Sequence, residues 1–427
     1  MRTAPPEHKE LRYMTTQSWF AEAKLGIFVH WGISSVRGIA LSRSAGSGEL
    51  SYQEYMEQLH GFTAAQYSAD AWADVFTRAG ARYAVMTAKQ HDGVALWDTA
   101  TTELSVVRAT PAGRDLVRPF TRALRRHGLR VGLYLSCDGY GHRPDSAPGR
   151  LRRRPPADAS TSVPQRHDSG QQGWEARQRL THQRQIQELV DSCEPDLLWF
   201  DGAAGNGQGP WTAEELARLS PALGPETVVI GCTGGDGDYA TPELGIPIVP
   251  PDGPWELCYP LGDAHGHQSG AGYPSVRELI HVFADTIAGG GNLLLKTSPR
   301  EDGTIPPEHV DRLKGLGRWI RRNHDAVYST TGLPYGYFEG PSTLSQDRRT
   351  LFLICTRAPD HLIELRGLRN TVRRISVLST GEEVPYHVVD GLPDWNIPRV
   401  IRIKPPATCG VLALELDGEL ELHQATG

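Results

Sequence analysis

The sequence predicts an α/β protein: a (β/α)8-like TIM barrel, complete or irregular, followed by a C-terminal antiparallel β-sandwich. Three observations carry that prediction. Short apolar runs alternate with amphipathic helical stretches over the first three quarters of the chain, the alternation stops after Tyr328, and strand-like runs without helices follow. Alternation of this kind builds a mostly parallel sheet covered by helices, whereas consecutive short strands build sandwiches. The expected division is residues 1–330 for the barrel and 331–427 for the sandwich.

Seven runs read as barrel strands: Gly26–His30, Tyr83–Ala88, Leu129–Ser136, Asp196–Asp201, Thr227–Gly231, Trp255–Tyr259 and Asn292–Thr297. "LLWFD" shows why. It has no polar face, and Pro195 and Gly202 bound it, as expected of a strand buried on both sides. Helices are expected over Ala64–Arg78, Asp115–His127, Trp174–Ser192, Thr212–Leu219, Ser275–Ala288 and Pro307–Asn323. Their apolar residues recur at helical spacing, as in Leu116, Phe120 and Leu124 or Ile186, Leu189 and Val190. Beyond Tyr328, strands are expected at Gly336–Phe338, Thr350–Cys355, His361–Leu365, Val372–Leu378, Val400–Ile403 and Gly410–Leu416. The Pro-, Arg- and Ser-rich segment Gly139–Gly173 has no periodicity and reads as a solvated loop.

Composition excludes several classes. The 427 residues carry a net charge of -6, which argues against a nucleic-acid partner. No apolar run approaches the roughly 18 residues that span a membrane, so no membrane partner is expected. "MRTAPPEHKELRYMTTQ" has no apolar core of a secretory signal. Six scattered cysteines form no CxxC pair, and together these features point to the cytoplasm. No metal spacing exists, and GGGN at 289–292 precedes a strand instead of opening a helix. No cofactor and no metal are therefore expected.

In a parallel barrel, reactive groups gather where strands end. Reading those positions gives His30 and Trp31, then Lys89, Gln90, His91 and Asp92, then Tyr134 and Asp201. Trp255 and Glu256 open another strand. Histidines, aromatic rings and acids suit a sugar, whose C–H faces stack on rings while its hydroxyls need hydrogen bonds. Glycosidic cleavage commonly needs two carboxyls. Asp201, at a rigid strand end, suits the nucleophile. Glu243, in the loop "DYATPELG", suits the acid, and Glu256 stands next in line.

These segments resemble the alpha-L-fucosidases of glycoside hydrolase family 29. "WFAEAKLGIFVHWGISSV", "YAVMTAKQHDGVALWDT", "PDLLWFDG", "DYATPE", "PWELC" and "GGGNLLLKTSPREDGTIP" follow the family's order. The resemblance implies a (β/α) barrel and a retaining mechanism, with Asp201 as nucleophile and Glu243 as acid/base. It places sugar contacts at His30, Glu54, His91 and Tyr134. The strand-end reading adds Trp31, Gln90 and Trp255 as substrate-binding residues. Departures are visible. The family's paired histidines are Gln90-His91, its tryptophan after Glu54 is Tyr55, and its arginine before the acid is replaced by Gly231-Cys232. Its N-V-G-P reads Lys296-Thr297-Ser298-Pro299.

The expected partner is a carbohydrate or a glycosylated small molecule, with the oligomeric state open. Two further readings stand beside hydrolysis of fucosides. One is an intracellular glycosidase or transglycosidase acting on a sugar-bearing metabolite; the other is a carbohydrate-binding pseudoenzyme.

Overall fold

A computed structural model describes residues 18–39, 50–136, 169–201, 223–224, 226–230, 239–242, 245–262, 272–333, 337–356, 361–391, 398–404 and 410–423, with backbone alone at 18 and 169–179. Among the described residues seven strands form one parallel sheet: β1 (Leu25–Val29), β2 (Tyr83–Lys89), β3 (Arg130–Ser136), β4 (Leu197–Asp201), β5 (Val228–Ile230), β6 (Glu256–Pro260) and β7 (Asn292–Thr297). Their order is β5-β4-β3-β2-β1-β7-β6. Every residue of β1 and β2 is buried, as helices outside and packed side chains inside require.

The first strand lies between β2 and β7, as in a barrel, but the sheet does not close among the described residues. This corrects the expectation of a complete eight-stranded barrel. Ala240 makes one parallel bridge to Trp255 where a further strand would begin. The chain beyond it carries Pro242, Pro247, Pro250, Pro251 and Pro254. Proline has no N–H to give a ladder, so that stretch cannot extend as a paired strand.

Helices cover the sheet at Ala69–Ala79, Val117–Arg126, Ser169–Cys193, Val276–Ala288 and Pro307–Arg322. The first begins five residues later than its apolar spacing suggests. Ala64 has a φ of 47°, and the Ser68 hydroxyl caps the helix by accepting from Ala71 N at 3.4 Å. The helix over 276–288 opens with a capping box between Ser275 and Glu278. The helix expected at Thr212–Leu219 lies outside the described residues. So does most of the Gly139–Gly173 segment, whose last residues open the helix that begins at Ser169.

The C-terminal strands are β8 (Thr330–Gly332), β9 (Ser342–Ser345), β10 (Thr350–Ile354), β11 (Ile363–Arg366), β12 (Val372–Val377), β13 (Tyr386–Val389), β14 (Val400–Ile403) and β15 (Val411–Leu416). They form two antiparallel sheets, ordered β12-β15-β10-β9-β8 and β11-β14-β13. Leu344, Leu353 and Leu414 from one sheet share a core with Leu365 and Ile401 from the other, which makes a sandwich. Tyr337 and Phe338, expected in a strand, lie in bends. Strand alternation gives β10 two faces: Leu351 and Leu353 enter the sandwich core, while Phe352 and Ile354 enter the core of the parallel sheet.

Candidate active site

The site is set by side-chain alternation on β1, β3 and β4. Phe28, Tyr134, Leu197 and Trp199 share one cluster inside the curved sheet, so His30, Ser136 and Asp201, each two residues further along, top the same face. Ser136 and Asp201 are register partners. Tyr134 Oη donates to Asp201 Oδ2 at 2.6 Å, and His91 Nε2 lies 3.6 Å from the same oxygen. The other ring nitrogen of His91 bonds the Ser136 hydroxyl. The Asp201 side chain remains 47% exposed, so a carboxylate with a fixed orientation still faces open space.

Below it lies an aromatic floor. Phe28 meets Trp199 at 5.2 Å, Tyr134 at 5.6 Å and His30 at 5.8 Å between ring centroids. Trp199 is a further candidate that the strand-end reading missed. It lies two positions before Asp201, on the same face. Its indole N–H is buried with no hydrogen-bond partner among the described residues. Counting back by two from Asp201 would have found it.

Asp201, Tyr134, His91 and His30 therefore come together, whereas other candidates do not. Trp31 follows the parity of Val29 and faces the helices. It is fully buried against Phe62, Tyr67 and Trp72, and its Nε1 donates to Arg300 O at 2.8 Å. This corrects its assignment to substrate. Gln90 is buried over Gly32, and its amide donates to Trp31 O at 3.1 Å. That amide is spent on the backbone instead of facing Asp201.

Trp255 is corrected as well. It stands just before β6, at the strand opening where the sequence put it, lies buried under Gly289 and Gly291, and donates to Gly289 O at 3.0 Å. Glu256, the reserve acid, is the first residue of β6 and is 1% exposed. Tyr83 and Tyr239 donate to its two oxygens, Tyr239 at 3.1 Å. Burial pushes its carboxyl up to about 7. It sits at the strand starts, the end opposite Asp201.

Glu54 is exposed on the short helix Tyr52–Met56, where its carboxylate accepts from Ser51 N and Ser51 Oγ at 2.7 Å each. Tyr55, on the same helix, donates to Asp92 Oδ2 at 2.9 Å, so this helix hangs on the turn that carries His91. Glu243 lies outside the described residues. Among those described, no group of three or more His, Cys, Asp or Glu side chains is placed to hold a metal.

The alpha-L-fucosidase family model matches residues 2–325. The chain belongs to that family. The rat tissue alpha-L-fucosidase is 28% identical over 355 residues, covering 76% of this chain and 72% of the relative. Among solved structures, alpha-L-fucosidase isoenzyme 1 from Paenibacillus thiaminolyticus superposes with a TM-score of 0.80 at 28% identity, covering 95% of this chain and 100% of that one. The Thermotoga maritima alpha-fucosidase in complex with fucose does so with a TM-score of 0.73 at 28% identity, covering 93% of this chain and 96% of that one. The chain is thus a glycosidase of the fucosidase family, with its parallel sheet and C-terminal sandwich. No helix among the described residues is long and apolar enough to cross a membrane.

Proposed function

We propose that the chain is a retaining glycosidase that releases terminal alpha-L-fucosyl residues, or a closely related deoxysugar, through a glycosyl-aspartate intermediate. The observation that carries the reading is Asp201. Tyr134 and His91 orient its carboxylate at the end of a buried strand while half of it stays open to a ligand. An Asp201 oxygen bonds to the anomeric carbon as that carbon's bond to the glycosidic oxygen breaks. Glu243 gives its proton to the departing oxygen. Water then attacks the anomeric carbon, its proton passes to Glu243, and Asp201 leaves as a carboxylate. The two carboxyls of such a site stand roughly 5–5.5 Å apart in the working complex.

In this reading the chemistry belongs to residues 1–330, and residues 331–427 support them from one side. His30 and His91 hold sugar hydroxyls, with Glu54 at the rim, and Trp199 offers its indole N–H. The ligand is a carbohydrate or a glycosylated small molecule. A cytoplasmic setting rests on the scattered cysteines. The decisive test follows the first-formed sugar by proton NMR during cleavage of an aryl alpha-L-fucoside. The alpha anomer is expected; the beta anomer as first product would remove the retaining reading.

A further inference from the structure

A lysine lies buried beside the site with no carboxylate at ion-pair distance among the described residues. Lys89 is 4% exposed, and among the described residues its Nζ donates to Gln185 Oε1 at 2.8 Å. A bulge directs it there. Between β2 and β3 the register advances from Thr87↔Tyr134 to Lys89↔Leu135, two steps against one. Thr87 therefore matches inward-facing Tyr134, while Lys89 matches Leu135, which packs toward the helices. The bulge swings Lys89 onto the helix Ser169–Cys193 and sends the next residues, Gln90 to Asp92, over the strand ends.

Around the amine stand Asp92 from its own turn and Gln185 and His182 from the helix. Gln185 Nε2 donates onward to Thr101 Oγ1 at 3.0 Å, and Asp92 is engaged by Tyr55 Oη at 2.9 Å and Val94 N at 2.9 Å. His182 is 8% exposed, and its Nδ1 has no partner among the described residues. Burial, then the Lys89 charge, lower its imidazole to about 3, so it stays neutral. Burial likewise lowers the amine of Lys89 to about 7, which Asp92 offsets only in part. A methionine of similar length would fill this space without that desolvation cost. Stability alone does not account for the amine.

We propose that Lys89 is a positioning residue for the reaction: its buried tie to Gln185 fixes the turn that presents His91 to Asp201. The inference rests on the reading of Asp201 as nucleophile. It goes beyond that reading in assigning work to a group that touches no substrate. His91 reaches an Asp201 oxygen and in that reading shares the sugar with His30, Glu54 and Trp199, so a slack turn would misplace the nucleophile more than it would weaken sugar binding. The effect therefore belongs in kcat.

The test uses Lys89→Met, Gln185→Leu and the double variant of the full chain, with kcat, KM and Tm measured on an aryl alpha-L-fucoside. Lys89→Met should lower kcat roughly tenfold or more and change KM less than about threefold. Its Tm should hold or rise, which a merely structural lysine would not give. Gln185→Leu keeps the amine and cuts the tie, so it should reproduce most of the loss. The double variant should be little worse than Lys89→Met, because both cut one linkage. A folded Lys89→Met with kcat within about twofold of the parent, or losses that multiply in the double variant, overturns the proposal. Asp201→Ala in the same assay keeps the two readings apart. If it stays active, the nucleophile assignment falls; if it is inactive while Lys89→Met is normal, only the lysine's role falls.

Discussion

The parallel sheet carries a carboxylate–tyrosine couple at each end, and the two behave oppositely. At the strand ends, Asp201 accepts from Tyr134 and its side chain is 47% exposed. At the strand starts, Glu256 accepts from Tyr83 and Tyr239 and is 1% exposed. The functional groups match; the solvent does not. Water lets Asp201 serve as an oriented base or nucleophile. Burial instead holds Glu256 protonated up to about pH 7 and lifts the Tyr83 and Tyr239 hydroxyls well above their ordinary range. Even the packing is specialised there. The Tyr83 ring occupies the space a Cβ on Gly26 would need. The couple at the strand starts plugs the interior, and the one at the strand ends opens it.

The sharpest way to break this contrast is at the nucleophile. Asp201→Ala should lower kcat by roughly four to six orders of magnitude with the fold retained by circular dichroism. Azide should restore part of the cleavage and yield a glycosyl azide of inverted configuration. Near-normal turnover in the folded variant would end the assignment. Glu243→Ala comes next, with a loss of roughly 10²–10⁴ on poor leaving groups and little on good ones, which need no proton to depart. Equal losses across a leaving-group series would demote Glu243 to a binding role. Tyr134→Phe removes one hydrogen bond to a charged oxygen and should cost about 1.5–3 kcal/mol of transition-state stabilisation, roughly ten- to hundredfold in kcat/KM. An unchanged value would mean that His91 alone orients the carboxylate.

The smallest effect on turnover belongs to Glu256→Gln, which mimics the protonated acid and should leave kcat within about threefold. Its signature is in stability. The folded-state value of about 7 is raised above the ordinary 4.5, so the contribution of Glu256 is complete below about 4.5 and is lost as pH climbs through 7. The loss is of the order of 3 kcal/mol. Denaturant unfolding from pH 4.5 to 8 should show that decline in the parent and not in the variant. Collapse of activity in a stable Glu256→Gln protein would instead place this acid in the chemistry.

Both couples contain residues that the sequence displays, yet only one was legible as a site. The strands could be read because burial on both faces leaves runs such as LLWFD with no polar face. Asp201 was visible because it interrupts one at its end. Trp31 and Trp255 were misread because neither adjacency to a site residue nor a place at a strand opening puts a side chain on the site's face. Trp31 is one step from His30 and points the other way, while Trp255, read as opening its strand, lies at the sheet end opposite Asp201. Trp199 has the reverse property, two steps from Asp201 and hidden in an apolar run. The strands STLS and YHVV, β9 and β13, lack the long apolar signature and were not expected. The bulge that turns Lys89 away from the interior leaves no trace in residue type at all.

The two-faced β10 has a consequence for how the molecule comes apart. Leu351 and Leu353 belong to one core, and Phe352 and Ile354, on alternate positions of the same strand, belong to the other. Melting either core strips one side of a strand that the other still needs. The free energies of the two units are therefore coupled through four consecutive residues, and calorimetry should record one cooperative transition instead of two. A chain cut near residue 330 would lose more than an appendage. It would bare the patch that Phe352, Ile354, Val411 and Ala413 cover, and self-association is the expected fate of such a fragment.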